Sequence, residues 1–253
     1  MAAAGTAFRI ARWSTATRAP SFLSRGYATV SGNRAHHRVV VVGGGTAGVT
    51  IAAQLKRTPQ LASGDIAILD PASTHHYQPG WTLVGSGLRD LNAMQRPLSD
   101  VMPSGVRHYP LSVSKFDPDN NAVRTAEGVD VSYDYLVVAP GLETNFAGVS
   151  GLEAALSNPA SMVSSIYSDR TVEQVWRNIQ GFKKGRAIFT QPAGVIKCAG
   201  APQKILWMAL SQWNRDGVRN NIDATFATGG AGTPPLSFYG CDHNNRPLLT
   251  TRK

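Results

Sequence analysis

The stretch from Arg38 to Lys56 constrains this chain more than any other. It reads Arg38-Val-Val-Val-Val42, then Gly43-Gly-Gly-Thr-Ala-Gly48, then Val49–Lys56. A run of β-branched residues predicts a buried parallel strand. Val49, Ile51, Ala52 and Leu55 continue as a helix. Gly43, Gly45 and Gly48 fit the spacing GxGxxG. The first glycine permits a tight turn, the second lets a pyrophosphate approach the backbone, and the third lets helix and strand pack closely. The free N–H groups at the helix start then face the phosphates. Glycines alone match such a pattern by chance, so the surroundings matter. Here a second strand follows at Asp65–Leu69, and it ends on Asp70, 22 residues past Gly48. A carboxylate there takes the ribose hydroxyls of an adenosine and disfavours a 2′-phosphate, and hence NADP.

The chain has 253 residues, enough for one large domain or two small ones. Its net charge of +9 raises the question of nucleic acid. Placement answers it: the first acidic residue is Asp65, preceded by eight unopposed basic residues. Residues 1–27 hold four of the arginines and no acid, so the remainder carries 21 basic and 16 acidic residues, a net of +5. That surplus calls for no nucleic acid. Residues 1–30 are rich in Ala, Ser, Thr and Arg, with Phe8, Ile10, Trp13, Phe22 and Leu23 among the arginines. This is the composition of a mitochondrial presequence, with a cut expected after Tyr27; a disordered basic tail is the alternative. No segment reads as a membrane span, because the uncharged run Val39–Leu55 is broken by four glycines.

Beyond the first strands the pattern turns to a short β-meander: Val106–Phe116, a turn at Asp117–Asn121, then Ala122–Thr125 and Val129–Ser132. A further strand, Tyr133-Asp-Tyr-Leu-Val-Val-Ala-Pro-Gly141, closes the unit. A dinucleotide fold interrupted by a meander and closed in this way resembles the two-dinucleotide-domain flavoproteins. That resemblance implies FAD in the first domain and adenine contact from the backbone around Val113. The intervening His75-His-Tyr-Gln-Pro-Gly-Trp-Thr-Leu-Val-Gly85 lacks metal-ligand partners at a credible spacing and reads as a loop over the flavin.

After a linker, Leu142–Ser161, a second α/β unit is expected. It comprises a helix at Arg170–Phe182, a strand at Arg186–Thr190, a helix at Ala201–Arg215 with Pro202 in its first turn, and a strand at Ile222–Thr228. The loop after Arg186–Thr190 carries no second glycine fingerprint, which weakens the case for a nicotinamide donor. It carries Cys198 instead, ahead of a helix N-terminus and between Lys197 and Lys204. Helix-end N–H groups and ammonium groups favour the thiolate, the nucleophile of thiol–disulfide chemistry. The alternative is a small buried cysteine.

The segments VVVVGGGTAGVTIAAQLKR, HHYQPGWTLVGSG, RPLSDVMPSGVRHY, YDYLVVAPGL and KGRAIFTQPAGVIKCAGAPQKI together resemble the mitochondrial sulfide:quinone oxidoreductases. The resemblance covers roughly Arg38–Thr228. It implies an α/β fold: a Rossmann-like FAD-binding domain with a β-meander insertion (28–150) and a partial second Rossmann-like domain (151–228). It implies hydrogen sulfide as electron donor, ubiquinone as acceptor, a small sulfane-sulfur acceptor and contact with the inner mitochondrial membrane. By the same resemblance Cys198 is the redox cysteine that carries sulfur as a persulfide. Gly43, Gly45, Ala47, Gly48, Asp70, Gln78, Val113 and Gly141 match positions that line the cofactor.

The family continues beyond Thr228 with a Gly-Asp motif, a second redox cysteine and C-terminal helices that meet the membrane. Residues 229–253 instead hold seven Gly or Pro in 25 and show no helix or strand period. They read as a flexible tail, and Cys241 takes no role from the family. A chain ending here is expected to bind FAD weakly or not at all and not to turn over sulfide. Three readings stay open: the oxidoreductase or a fragment of it, a non-catalytic short form, and a type II NADH dehydrogenase-like flavoprotein.

Overall fold

The computed structural model describes residues 34–194 and 196–229. The expected presequence at 1–27, and the expected tail but for Gly229, lie outside these residues.

The strand predicted at Arg38–Val42 begins earlier, as β1 (Arg34–Val42). Its added polar residues are held because Arg34–His37 pair with Asp130–Tyr133. The glycine turn leads into α1 (Thr46–Leu55), and β2 (Ile66–Leu69) returns parallel to β1. A small antiparallel pair follows, β3 (Thr74–His76) with β4 (Gln95–Pro97). Between them a 3-10 turn at Gln78–Gly80 runs into the short helix α2 (Trp81–Val84), so the expected loop is largely structured. After α3 (Leu98–Val101) comes β5 (Arg107–Tyr109).

Here the predicted meander needs correction. Val106–Phe116 is not one strand. β5 joins the parallel sheet beside β2, whereas β6 (Val113–Asp117) pairs antiparallel with β7 (Ala122–Thr125). Pro110 lies at the break and has no N–H to offer a ladder. Conversely, the two strands expected at Val129–Ser132 and Tyr133–Gly141 are one, β8 (Asp130–Val138). β8 pairs parallel with β1 along its length and antiparallel with β7 through its first residues. The sheet order is β5-β2-β1-β8-β7-β6: a four-stranded parallel sheet extended by two meander strands.

Alternation along the strands makes two cores. Val39, Val41, Ile66 and Ile68 meet Ala52 of α1 on one face. Val40, Val42 and Leu69 join Val123 and Val131 in a second cluster. At about 25 cal/mol per Å² of apolar surface, each fully buried valine or isoleucine contributes about 1.5–3 kcal/mol.

The expected linker contains α4 (Leu152–Ser157). The second unit then follows the sequence closely: α5 (Val172–Gly181), β9 (Gly185–Gln191), α6 (Ala201–Arg215) and β10 (Ile222–Thr228). β9 and β10 pair parallel. α5 and α6 cover them through Ile179, Leu206, Leu210 and Trp213, which meet Phe226 of β10. The buried Trp213 indole donates to the Ile179 carbonyl at 2.9 Å. Ile188 points away from these helices and is 59% exposed. α2 joins the two units: Trp81 and Val84 pack with Val172. Gly85 lies so close to Ile166 and Val175 that a Cβ there would sit 3.1 and 3.3 Å from their side chains.

Candidate functional site

The glycine turn stands at the carboxyl end of the parallel sheet, where open α/β folds bind their ligands. Gly43 has φ +103°, and a Cβ there would come within 2.2 Å of the Ala139 carbonyl oxygen. Gly48 is closer still: a Cβ would meet the Gly43 carbonyl oxygen at 1.8 Å. Both positions are therefore closed to any side chain. Gly45 is the opposite case, exposed and with no atom within 4 Å of where a Cβ would stand. It caps α1, and no side chain bonds across the helix start. The outward side of the turn, at Gly45, Thr46 and Ala47, is thus open, with helix-end N–H groups and the positive end of the helix dipole behind it. A dinucleotide pyrophosphate fits this arrangement.

Asp70 follows β2 at the same edge. One carboxylate oxygen accepts from Gly44 N at 2.5 Å, the other from Ala72 N at 2.7 Å. It holds the glycine turn in place through a charge-assisted hydrogen bond. Each oxygen retains acceptor capacity for a sugar hydroxyl. Gly141, with φ +80°, follows β8, whose neighbouring Ala139 N donates to Val42 O at 2.8 Å. The fold therefore brings Gly43, Gly45, Ala47, Gly48, Asp70 and Gly141 to one edge. Gln78 is exposed on the 3-10 turn, and Val113 opens β6, packed against the Val40–Leu69 cluster.

Cys198 is exposed, in the loop between β9 and α6. Its backbone carbonyl accepts from Ala201 N at 3.3 Å and from the Tyr167 hydroxyl at 3.0 Å. Burial, reinforced by the nearby charge of Cys198, pushes the Tyr167 phenol up to about 12. The ammonium of Lys197 sits 5.6 Å from the centre of the Trp81 ring. Burial lowers the Lys197 pKa from its ordinary value. Trp81 in turn meets the His76 ring edge to face, centroids 5.9 Å apart. His76 Nδ1, Trp81 Nε1 and Gln203 Nε2 are buried with no hydrogen-bond partner. A segment of the first unit thus lies against the cysteine loop of the second. Sequence reasoning singled out Cys198 and the His75–Gly85 segment but missed Tyr167 and Trp81 as its neighbours. Trp81 stood inside a quoted motif, whereas nothing near Tyr167 marked it. Among the described residues no His, Cys, Asp and Glu group could hold a metal ion, and no helix is long and apolar enough to cross a membrane.

A parallel sheet, a glycine turn open at a helix start and a carboxylate at the end of the second strand define a Rossmann-type dinucleotide-binding protein. The family profile of the pyridine nucleotide-disulphide oxidoreductases matches residues 37–187, and the chain belongs to that family. FAD is the cofactor of this family. The chain is 44% identical over 208 residues to the mitochondrial sulfide:quinone oxidoreductase of Schizosaccharomyces pombe, covering 77% of this chain and 45% of that one. It is 39% identical to the mitochondrial sulfide:quinone oxidoreductase of Mus musculus, over 76% of this chain and 42% of that one. The X-ray structure of the sulfide:quinone oxidoreductase from Aquifex aeolicus shares the fold, with a TM-score of 0.61, 23% identity, and 76% of this chain and 43% of that one covered. The chain spans less than half the length of these relatives.

Proposed function

We propose that this chain supplies the FAD-binding and sulfur-carrying part of a sulfide:quinone oxidoreductase, with hydrogen sulfide as electron donor and ubiquinone as acceptor. The observation that carries the reading is the second strand–loop–helix. Where a nicotinamide-dependent relative would place another glycine turn, this chain presents an exposed Cys198 ahead of α6. The mitochondrial relatives match 77% and 76% of this chain. In this reading residues 28–150 form the FAD domain and 151–228 the cysteine-bearing unit. Residues 1–27 direct the protein to the mitochondrion.

The backbone of Gly43, Gly45, Ala47 and Gly48 binds the pyrophosphate, and Asp70 receives the ribose hydroxyls while bracing the turn. Gln78, Val113 and Gly141 line the rest of the cofactor. FAD, when bound, supplies a two-electron acceptor between sulfide and quinone. Cys198 supplies the sulfur site. Hydrosulfide and the thiol become a persulfide, a new S–S bond forms, and two protons and two electrons leave. The quinone takes up two electrons and two protons. The persulfide sulfur then passes to a small nucleophilic acceptor. The family's site at the inner-membrane surface belongs to the same proposal.

The test complements the FAD-loaded chain with the remaining half of the S. pombe relative and adds sulfide and a ubiquinone analogue. Peptide mass mapping should find one added sulfur on Cys198, with quinone reduced in proportion. Quinone reduction that proceeds with Cys198 unmodified, and equally in Cys198→Ser, would contradict the reading.

A further inference from the structure

Cys198 lies in a loop with few attachments. Three of them hold the thiol-bearing residues: the Lys197 ammonium over Trp81, the Ala201 N–H on the Cys198 carbonyl, and the Tyr167 hydroxyl on the same carbonyl at 3.0 Å. The third differs from the others because it comes from 31 residues away and from a firmly wound turn. Tyr167 N donates to Ser165 Oγ at 3.1 Å, and Thr171 Oγ1 donates to the Ser165 carbonyl at 2.6 Å. Val172 N closes the turn on Ser168 O at 3.0 Å. The Tyr167 ring packs on the core cluster under α5 and α6. The donor is therefore fixed to the rigid body of the second unit, while the acceptor belongs to the loop.

From this geometry we infer that Tyr167 is the positioning residue for Cys198, holding the thiol-bearing turn against the start of α6 through its hydroxyl. The inference rests on the reading of Cys198 as sulfur carrier. α6 is a 15-residue helix with no side-chain cap at its N-terminus. A sulfur anion on this turn sits just ahead of the positive end of the helix dipole. The phenol, raised to about 12, stays protonated, so its hydroxyl donates to the carbonyl before and after Cys198 gains sulfur. Tyr167 touches neither substrate nor cofactor in this account; it acts through the Cys198 backbone.

The test uses the whole chain with Cys241→Ser, which leaves Cys198 as its one cysteine. Inorganic tetrasulfide is the probe: the Cys198 thiolate attacks a terminal S–S bond, forms the persulfide and releases trisulfide, with charge and sulfur conserved. Tyr167→Phe keeps the ring packing and removes only the hydroxyl. The expected result is about tenfold slower sulfur transfer with an unchanged melting temperature, the loss of one modest hydrogen bond expressed at the reacting step. Replacing Tyr167 by 4-aminophenylalanine restores an N–H donor at the same position and should restore the rate. A Phe variant that reacts at the parent rate overturns the proposal. So does a slow Phe variant that the amino analogue fails to rescue, since ring environment would then be responsible. If the parent forms no persulfide at all, the sulfur-carrier reading fails. Tyr167 is then judged by iodoacetamide alkylation of Cys198, where equal rates in parent and Phe variant sink the positioning role.

Discussion

The two strand–loop–helix units share an architecture but differ in their loops. In the first, three glycines separate β1 from α1, and neighbouring backbone dictates two positions of the GxGxxG spacing: a Cβ at Gly43 or Gly48 would strike a carbonyl oxygen at 2.2 or 1.8 Å. In the second, residues 192–200 separate β9 from α6, and Gly194 has open space around it. In the proposed function the first loop is short because it brings backbone N–H groups to a phosphate. The second is long enough to carry a side chain, Cys198, out to solvent, and it relies on Tyr167 and Trp81 to stay in place. In the proposed function the same topology thus serves a backbone site in one unit and a side-chain site in the other.

The contrast is sharpest at Gly48. Gly48→Ala should destabilise the chain by about 3 kcal/mol, since helix and strand must move apart. Calorimetry should show a melting temperature lower by roughly 10 °C, with flavin binding lost. A variant that melts like the parent would show that the turn is not packed as described. Asp70→Asn comes next: weakening the charge-assisted bond to Gly44 N should cost about 1–2 kcal/mol. FAD affinity should drop about tenfold, read by quenching of flavin fluorescence.

Gly45→Ala separates ligand from fold. With φ −70° and open space, alanine should change stability by less than about 0.5 kcal/mol yet weaken FAD binding. Gly194→Ala is the mirror experiment: φ +83° makes it cost about 1 kcal/mol with no effect on flavin. Equal flavin affinity in both variants would erase the distinction between the loops.

The smallest effect concerns acid. His37 is buried between the Gly64 carbonyl, which accepts from Nδ1 at 2.7 Å, and the Tyr109 hydroxyl, 2.8 Å from Nε2. Burial lowers its pKa from the ordinary 6.5. The unfolded chain takes up this proton near 6.5 while the folded chain does not, so stability present above that pH falls as the pH drops below it. His37→Gln should flatten this part of the stability–pH curve; an unchanged curve would remove His37 as its source.

Sequence pattern served some regions better than others, for physical reasons. α6 and β10 were legible residue for residue, because Pro202 marks a first turn and a clear apolar stripe follows. The glycine turn was legible because its spacing reflects local close approach. The early start of β1 was not, since Arg34–His37 look polar and become strand only by pairing with β8. The split at Pro110 is written in the sequence, since proline offers no N–H to a ladder. Tyr167 and Trp81 reach the cysteine loop from distant parts of the chain, and no periodicity encodes such contacts. The sequence marks Asp70 as a ligand group, and only the fold brings it to Gly44 N, where it braces the turn.

The central proposal is that sulfur uptake at Cys198 in the second loop releases two electrons, which FAD would accept if held at the first loop. The most direct measurement is an anaerobic sulfide titration of the FAD-loaded chain, complemented by the half of its S. pombe relative that this chain does not match, with flavin absorbance followed throughout. The account predicts stoichiometric bleaching by sulfide, absent in Cys198→Ser. Bleaching that persists in Cys198→Ser, or that NADH produces and sulfide does not, would contradict it.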